Sequence, residues 1–123
     1  MPELPTFDDA RPTLEVGDLG VALPFLTDVV GLPARIVEGE PPTFAVVGTG
    51  TAQIGLVQVD EPAIPSGAAC YVQLHGLDAL VARLEAASVP LAVPVTERPW
   101  GLRDLVVTVP GRGPMIAFGE PTG

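Results

Sequence analysis

The chain has 123 residues, 47% of them apolar, with six arginines, no lysine and fifteen carboxylates, for a formal net charge of −9. That balance repels phosphate backbones and argues against nucleic acid as a partner, while a cationic or electron-poor ligand is easier to attract. The single cysteine, Cys70, excludes an internal disulfide or a thiolate cluster; no apolar run approaches the ~18 residues of a membrane span, and the acidic, proline-bearing start lacks the marks of a signal peptide. These features point to a soluble, cytoplasmic protein.

In chain order, Arg11–Val16 alternates as a strand and stops at Gly17-Asp18. Asp18 is placed to cap a helix whose apolar face is Leu19, Ala22, Leu23, Leu26 and Val30, and which ends at Gly31. Pro24 lies inside that pattern and predicts a kink, because it removes a backbone donor. Three short strands follow, Ala34–Glu38, Thr43–Gly48 and Ala52–Val59, with Gly39, Pro41-Pro42 and Gly48-Thr49-Gly50 between them. Residues 60–67, with two prolines and a glycine, read as a linker.

The order then repeats: strand Ala69–Leu74, helix Leu77–Ala87, and strands Leu91–Val95, Asp104–Val109 and Pro114–Gly119. A shift of 58 positions lays Leu14 to Leu19 on Val72 to Leu77, and Ala22, Leu23 and Leu26 on Leu80, Val81 and Leu84. The expectation is an α+β fold of one domain spanning 1–123, with one βαβββ module at about 11–60 and a second at about 68–120. The two modules form a cup-shaped mixed sheet with the helices outside. Neither module can bury a sheet alone, so pairing of the modules, and of two chains, is the economical solution.

Three stretches, Leu14-Glu15-Val16-Gly17-Asp18-Leu19, Ala22 to Leu32, and Glu97-Arg98-Pro99-Trp100-Gly101-Leu102-Arg103-Asp104 with Ile116 to Glu120, resemble the vicinal oxygen chelate superfamily, the glyoxalase/bleomycin-resistance/dioxygenase fold. The resemblance spans roughly residues 11–120. It implies a homodimer, with the segment before Pro12 docked or exchanged across the interface. Metal-dependent members hold a divalent ion with two ligands per half; by resemblance those positions fall on Arg11, Gly55, Ala69 and Ala117, which cannot ligate one. His75, the single histidine, lies at a strand-to-helix turn. A further departure is the turn Val109 to Pro114, which lacks the family's aspartates and predicts a looser hairpin.

The resemblance therefore implies the bleomycin-resistance-like branch: no cofactor, no metal, and sequestration of a planar or cationic antibiotic or metabolite. Small residues at Gly55, Ala69 and Ala117 leave room for a ligand. Trp100, the one tryptophan, sits in a loop expected to be mobile and offers a stacking surface. Arg11 is a candidate clamp for an anion or carbonyl, Phe44 and Tyr71 are candidate cleft walls, and Gln53 is a candidate amide partner. Each has a packing alternative: Trp100 as a plug, Phe44 and Tyr71 as core, Gln53 facing solvent. Arg103 and Asp104 read as a local ion pair, Cys70 as a small buried hydrophobe, and an Arg11–Glu15 pairing is open. The alternative functions are a metal-free lyase or isomerase, a glyoxalase-like enzyme, or a regulatory or structural domain.

Overall fold

The computed structural model describes residues 2–123. Its strands form two four-stranded mixed sheets. The first contains β1 (Thr13–Val16), β2 (Ala34–Glu38), β3 (Phe44–Thr49) and β4 (Ala52–Gln58), in the order β1-β4-β3-β2. The second contains β5 (Ala68–Gln73), β6 (Val93–Arg98), β7 (Leu102–Thr108) and β8 (Met115–Pro121), in the order β5-β8-β7-β6. In each, the first strand lies parallel to the last and the remaining pairs are antiparallel. Two βαβββ modules are thus present, and the sheets remain open rather than closing into a barrel.

The first helical stretch runs as α1 (Leu19–Pro24) and then widens to a π-helical segment, Phe25–Val30. The expected kink at Pro24 takes this form: the ring removes an amide from the α ladder, and the chain continues with wider spacing, closing with the Gly31 amide on the Leu26 carbonyl at 3.1 Å. The second helix, α2 (Leu77–Ala86), buries Leu77, Leu80 and Leu84. Burying each such side chain is worth about 1.5–3 kcal/mol. One contiguous core joins the modules. Leu14, Val16, Ile54 and Leu56 of the first sheet meet Leu105, Val107, Ile116 and Phe118 of the second beneath both helices. Arg83 of α2 also donates to the carbonyls of Asp28 and Val29, tying the second helix to the π-helical segment.

Four expectations change. Asp18 makes no side-chain cap; the amide of Leu19 is instead taken by Oε1 of Gln58, at the end of β4, at 2.8 Å. The repeat does the same in α2, where Oε2 of Glu120 accepts from the amides of Gly76 and Leu77 at 3.0 and 3.1 Å. A helix entry that packs on the neighbouring strand is thus capped from that strand.

The strands β6 and β7 run closer together than expected. Arg98 pairs with Leu102, so Trp100 sits in a tight hairpin turn rather than between strands ending at Val95 and starting at Asp104. The turn after β7 is not left loose by its missing aspartates. The carbonyl of Gly111 accepts from the amides of Gly17 and Asp18, both at 2.9 Å, and Arg112 donates to the Asp60 carbonyl. Gly111 has φ +81°, and a Cβ there would collide with the Asp18 carbonyl, so this staple requires glycine. Finally, Arg103 and Asp104 do not pair with each other. Adjacent strand residues point to opposite faces, and Arg103 bonds Glu120 and Asp78 on the helix side while Asp104 faces the other way.

Candidate functional site

The strand register defines two repeat-related concave faces. In the first, Thr13 lies opposite Gly55, Val46 opposite Gly55, and Phe44 opposite Val57. In the second, Tyr71 lies opposite Ala117, Val106 opposite Ala117, and Asp104 opposite Gly119. Tyr71 thus takes the place of Thr13, and Asp104 the place of Phe44.

Asp104 is the centre of the second face. It is 4% exposed, and among the described residues it is the one buried charged side chain. Burying a carboxylate is costly unless it is paired and hydrogen-bonded. Both its oxygens are used: Oδ1 accepts from Nε of Arg98 at 3.0 Å, and Oδ2 from the hydroxyl of Tyr71 at 3.3 Å. Burial, then the charge and hydrogen bond of Asp104, push the Tyr71 phenol above its ordinary pKa, so it remains a protonated donor at neutral pH. The Tyr71 ring lies across Gly119, where any Cβ would meet its hydroxyl. Beyond it, the Arg98 guanidinium lies over the Trp100 ring, 5.9 Å from its centroid, within cation–π range. Trp100 is 67% exposed, and the Tyr71 side chain also reaches the surface. The sequence elements responsible are compact: the hairpin brings Arg98 within reach of Asp104, and alternation on β7 turns Asp104 inward.

The remaining candidate residues sit around β1. A groove of about 380 Å³ is lined by Arg11, Thr13, Gln53 and the turn at Gly50-Thr51. It shares Ala10, Thr51 and Gln53 with a smaller one of about 240 Å³ that reaches Tyr71 and Gln73. Arg11, Gln53 and Tyr71 are therefore brought to one inter-module groove system. The Gln53 amide nitrogen is already engaged by the Gly50 carbonyl at 2.8 Å. Arg11 is exposed and, among the described residues, forms no ion pair; Glu15 instead accepts from the Ala63 amide. Gly55 is buried with Thr13 across it, Ala69 lines a separate groove between β1 and β5, and Ala117 is buried under the Tyr71 strand. Phe44 lies apart on the first concave face.

His75 is exposed at the entry to α2, in an inter-module groove on the helix side. Cys70 is half-buried, and burial pushes its thiol up, away from thiolate reactivity. Among the described residues, no three His, Cys, Asp or Glu side chains cluster in a way that could hold a metal, and no helix is long and apolar enough to cross a membrane.

Asp104 and Arg98 are the functional candidates that the sequence motif contained but pairwise reading misplaced. The signal that finds them is parity: in a hairpin turning at Pro99–Gly101, Arg98 and Asp104 share a face and Arg103 does not.

No protein-family model and no curated protein sequence matches the chain. Solved structures do. A bleomycin-binding protein from bleomycin-producing Streptomyces verticillus, solved with copper(II)-bleomycin, superposes with TM-score 0.68 at 20% identity, covering 94% of this chain and 97% of that one. TnmS3, an antibiotic binding protein from Streptomyces sp. CB03234, gives TM-score 0.74 at 22% identity over 96% and 99%. A putative glyoxalase family protein from Bacillus anthracis gives 0.77 at 14% identity over 98% and 99%. The chain has the vicinal oxygen chelate fold, shared by antibiotic-binding proteins and glyoxalase-like proteins.

Proposed function

We propose that this protein is a metal-independent small-molecule-binding protein that sequesters a planar or cationic antibiotic or metabolite, working as a single-domain protomer of a cytoplasmic homodimer. The observation that carries the reading is the open second concave face. There a buried carboxylate fixes an arginine and a tyrosine beside an exposed tryptophan, a rigid surface suited to a flat ligand. Of the two grooves that share Gln53, one reaches Arg11 and the other reaches Tyr71 on this face, and Ala69 and Ala117 keep the adjoining strands free of bulk. The antibiotic-binding proteins that share the fold support the same reading.

Dimerisation is supported by apolar surface that a single chain leaves uncovered. Leu4 and Phe7, in a segment without regular structure, are 92% and 87% exposed, and Ile36 and Val37 of edge strand β2 are exposed too. An enzymatic reading requires an acid or base poised near neutrality in the cleft. Tyr71 is moved away from that range, and Asp104 has both oxygens occupied.

The test is fluorescence of Trp100 during titration with bleomycin-type, mitomycin-type and other planar antibiotics. The chain has one tryptophan, so the signal has one source. Saturable quenching, abolished in Tyr71→Ala, with intact ligand recovered by mass spectrometry, is expected. Recovery of a converted product would establish an enzyme instead.

A further inference from the structure

The second concave face also fixes which ligand chemistry it takes, granted that it binds a ligand at all. We infer that the face recognises a planar aromatic ring bearing a neutral carbonyl oxygen, with the ring against Trp100 and the oxygen accepting from the terminal nitrogens of Arg98.

Three features of the site lead there. Asp104 binds Arg98 through Nε alone, and among the described residues Nη1 and Nη2 carry no hydrogen bond. The Arg98 side chain keeps 31% of its surface. A guanidinium held by one edge presents its remaining N–H donors in a fixed plane, so less freedom is lost when they are used. Trp100, its ring beneath the guanidinium, is mostly exposed and supplies a flat apolar surface next to those donors. Tyr71 contributes the apolar flank of its ring, its hydroxyl being committed to Asp104.

Charge then selects among the ligands that fit these donors. A cation would stand beside the Arg98 guanidinium, and both Asp104 oxygens already accept from Arg98 and Tyr71. An anion meets a pair that is already neutral, Arg98 with Asp104, within a chain of net charge −9. A neutral acceptor takes the donors without either penalty. The overall acidity of the protein therefore says less about its ligand than the local pairing does.

The test compares fluorenone with fluorene, the same tricyclic ring with and without the carbonyl, by quenching of Trp100 in the full-length protein. N-methylacridinium serves as a planar cation of similar size. Fluorenone is expected to bind about tenfold more tightly than fluorene, as befits one hydrogen bond from a charged donor. That preference is expected to collapse in Arg98→Lys, which keeps the charge and loses the fork, and in the double variant Arg98→Met with Asp104→Asn, which removes the buried charge together with its partner. The carbonyl stretching band of bound fluorenone is expected at lower wavenumber in wild type than in either variant.

Equal binding of fluorenone and fluorene would overturn this inference and leave the ligand-binding reading standing. So would tighter binding of N-methylacridinium than of fluorenone. Failure of all three probes to quench Trp100 in folded protein would overturn this inference, and a flat antibiotic titration beside it would overturn the ligand-binding reading as well.

Discussion

The two modules share a backbone but not a floor. In the first, Phe44 and Val57 face each other across the register; in the second, the same places hold Asp104 and Gly119. Beside them, the small Thr13 of the first module corresponds to the bulky Tyr71 of the second, and side-chain volume is exchanged across the strands. A Cβ on Gly119 would meet the Tyr71 hydroxyl, whereas the shorter Thr13 lies against Gly55 and the place equivalent to Gly119 holds Val57. The helix-side faces, by contrast, match: Leu14, Leu56 and Leu19 of one correspond in role to Val72, Phe118 and Leu77 of the other. Duplication has kept the side that packs and diversified the side that is open. Packing density penalises change in the core, while an open face tolerates it.

Experiments can break this contrast, beginning with the largest expected effect. Arg98→Met strands a buried carboxylate with one weak hydrogen bond, and is expected to cost about 3 kcal/mol in urea unfolding. Adding Asp104→Leu is expected to recover most of that loss, since an apolar pair suits the site as well as an ion pair. A loss below about 0.5 kcal/mol in the single variant would mean that the pair is solvated. The reciprocal change, Phe44→Asp, puts a carboxylate at the equivalent place in the first module. It has no arginine there and faces Glu38 across the register. A loss of about 2 kcal/mol is expected from the forfeited ring burial and the like charges, and a neutral outcome would show that the two faces are interchangeable.

The caps sharpen the comparison on its conserved side. Gln58→Ala is expected to cost about 1 kcal/mol, as loss of a helix cap does. Its repeat mate Glu120 adds a pH signature that Gln58 lacks. Hydrogen bonds from Arg103, then from the amides of Leu77 and Gly76, hold the Glu120 carboxyl below its ordinary range. A lowered native pKa gives stability that is complete above the unfolded value of about 4.3 and is lost as pH falls through the native one. Stability is therefore expected to fall on acidification below about pH 4.5, with a shallower fall in Glu120→Gln. Identical acid profiles for wild type and variant would remove Glu120 from that role.

Much of the architecture was legible in the chain because hydrophobic period and turn residues are local signals. The alternation of Leu14 and Val16, the helical stripe Leu77, Leu80, Val81 and Leu84, and the stop at Gly31 all found their elements. The helix caps were not legible. Asp18 has the right chemistry in the right place, yet Gln58, 39 residues away in sequence, is the group that reaches the amide. At the site, Tyr71 and Trp100 were visible as aromatics on an alternating strand and in a turn. The Asp104 network was hidden by its neighbour Arg103, since proximity in sequence suggested a pair that strand geometry forbids.

The sequence by itself determined the duplicated βαβββ order and the two amphipathic helices. These follow from residue identity and spacing, which need no third dimension. Tertiary structure alone decided that Asp104 is buried, that Arg98 and Tyr71 hold it, and that Gly119 makes space for the Tyr71 ring. The reason is that a hydrogen-bond network on an open sheet is set by strand register. Register is fixed by the pairing of distant segments, here β5 against β8 and β7 against β8, rather than by any one of them.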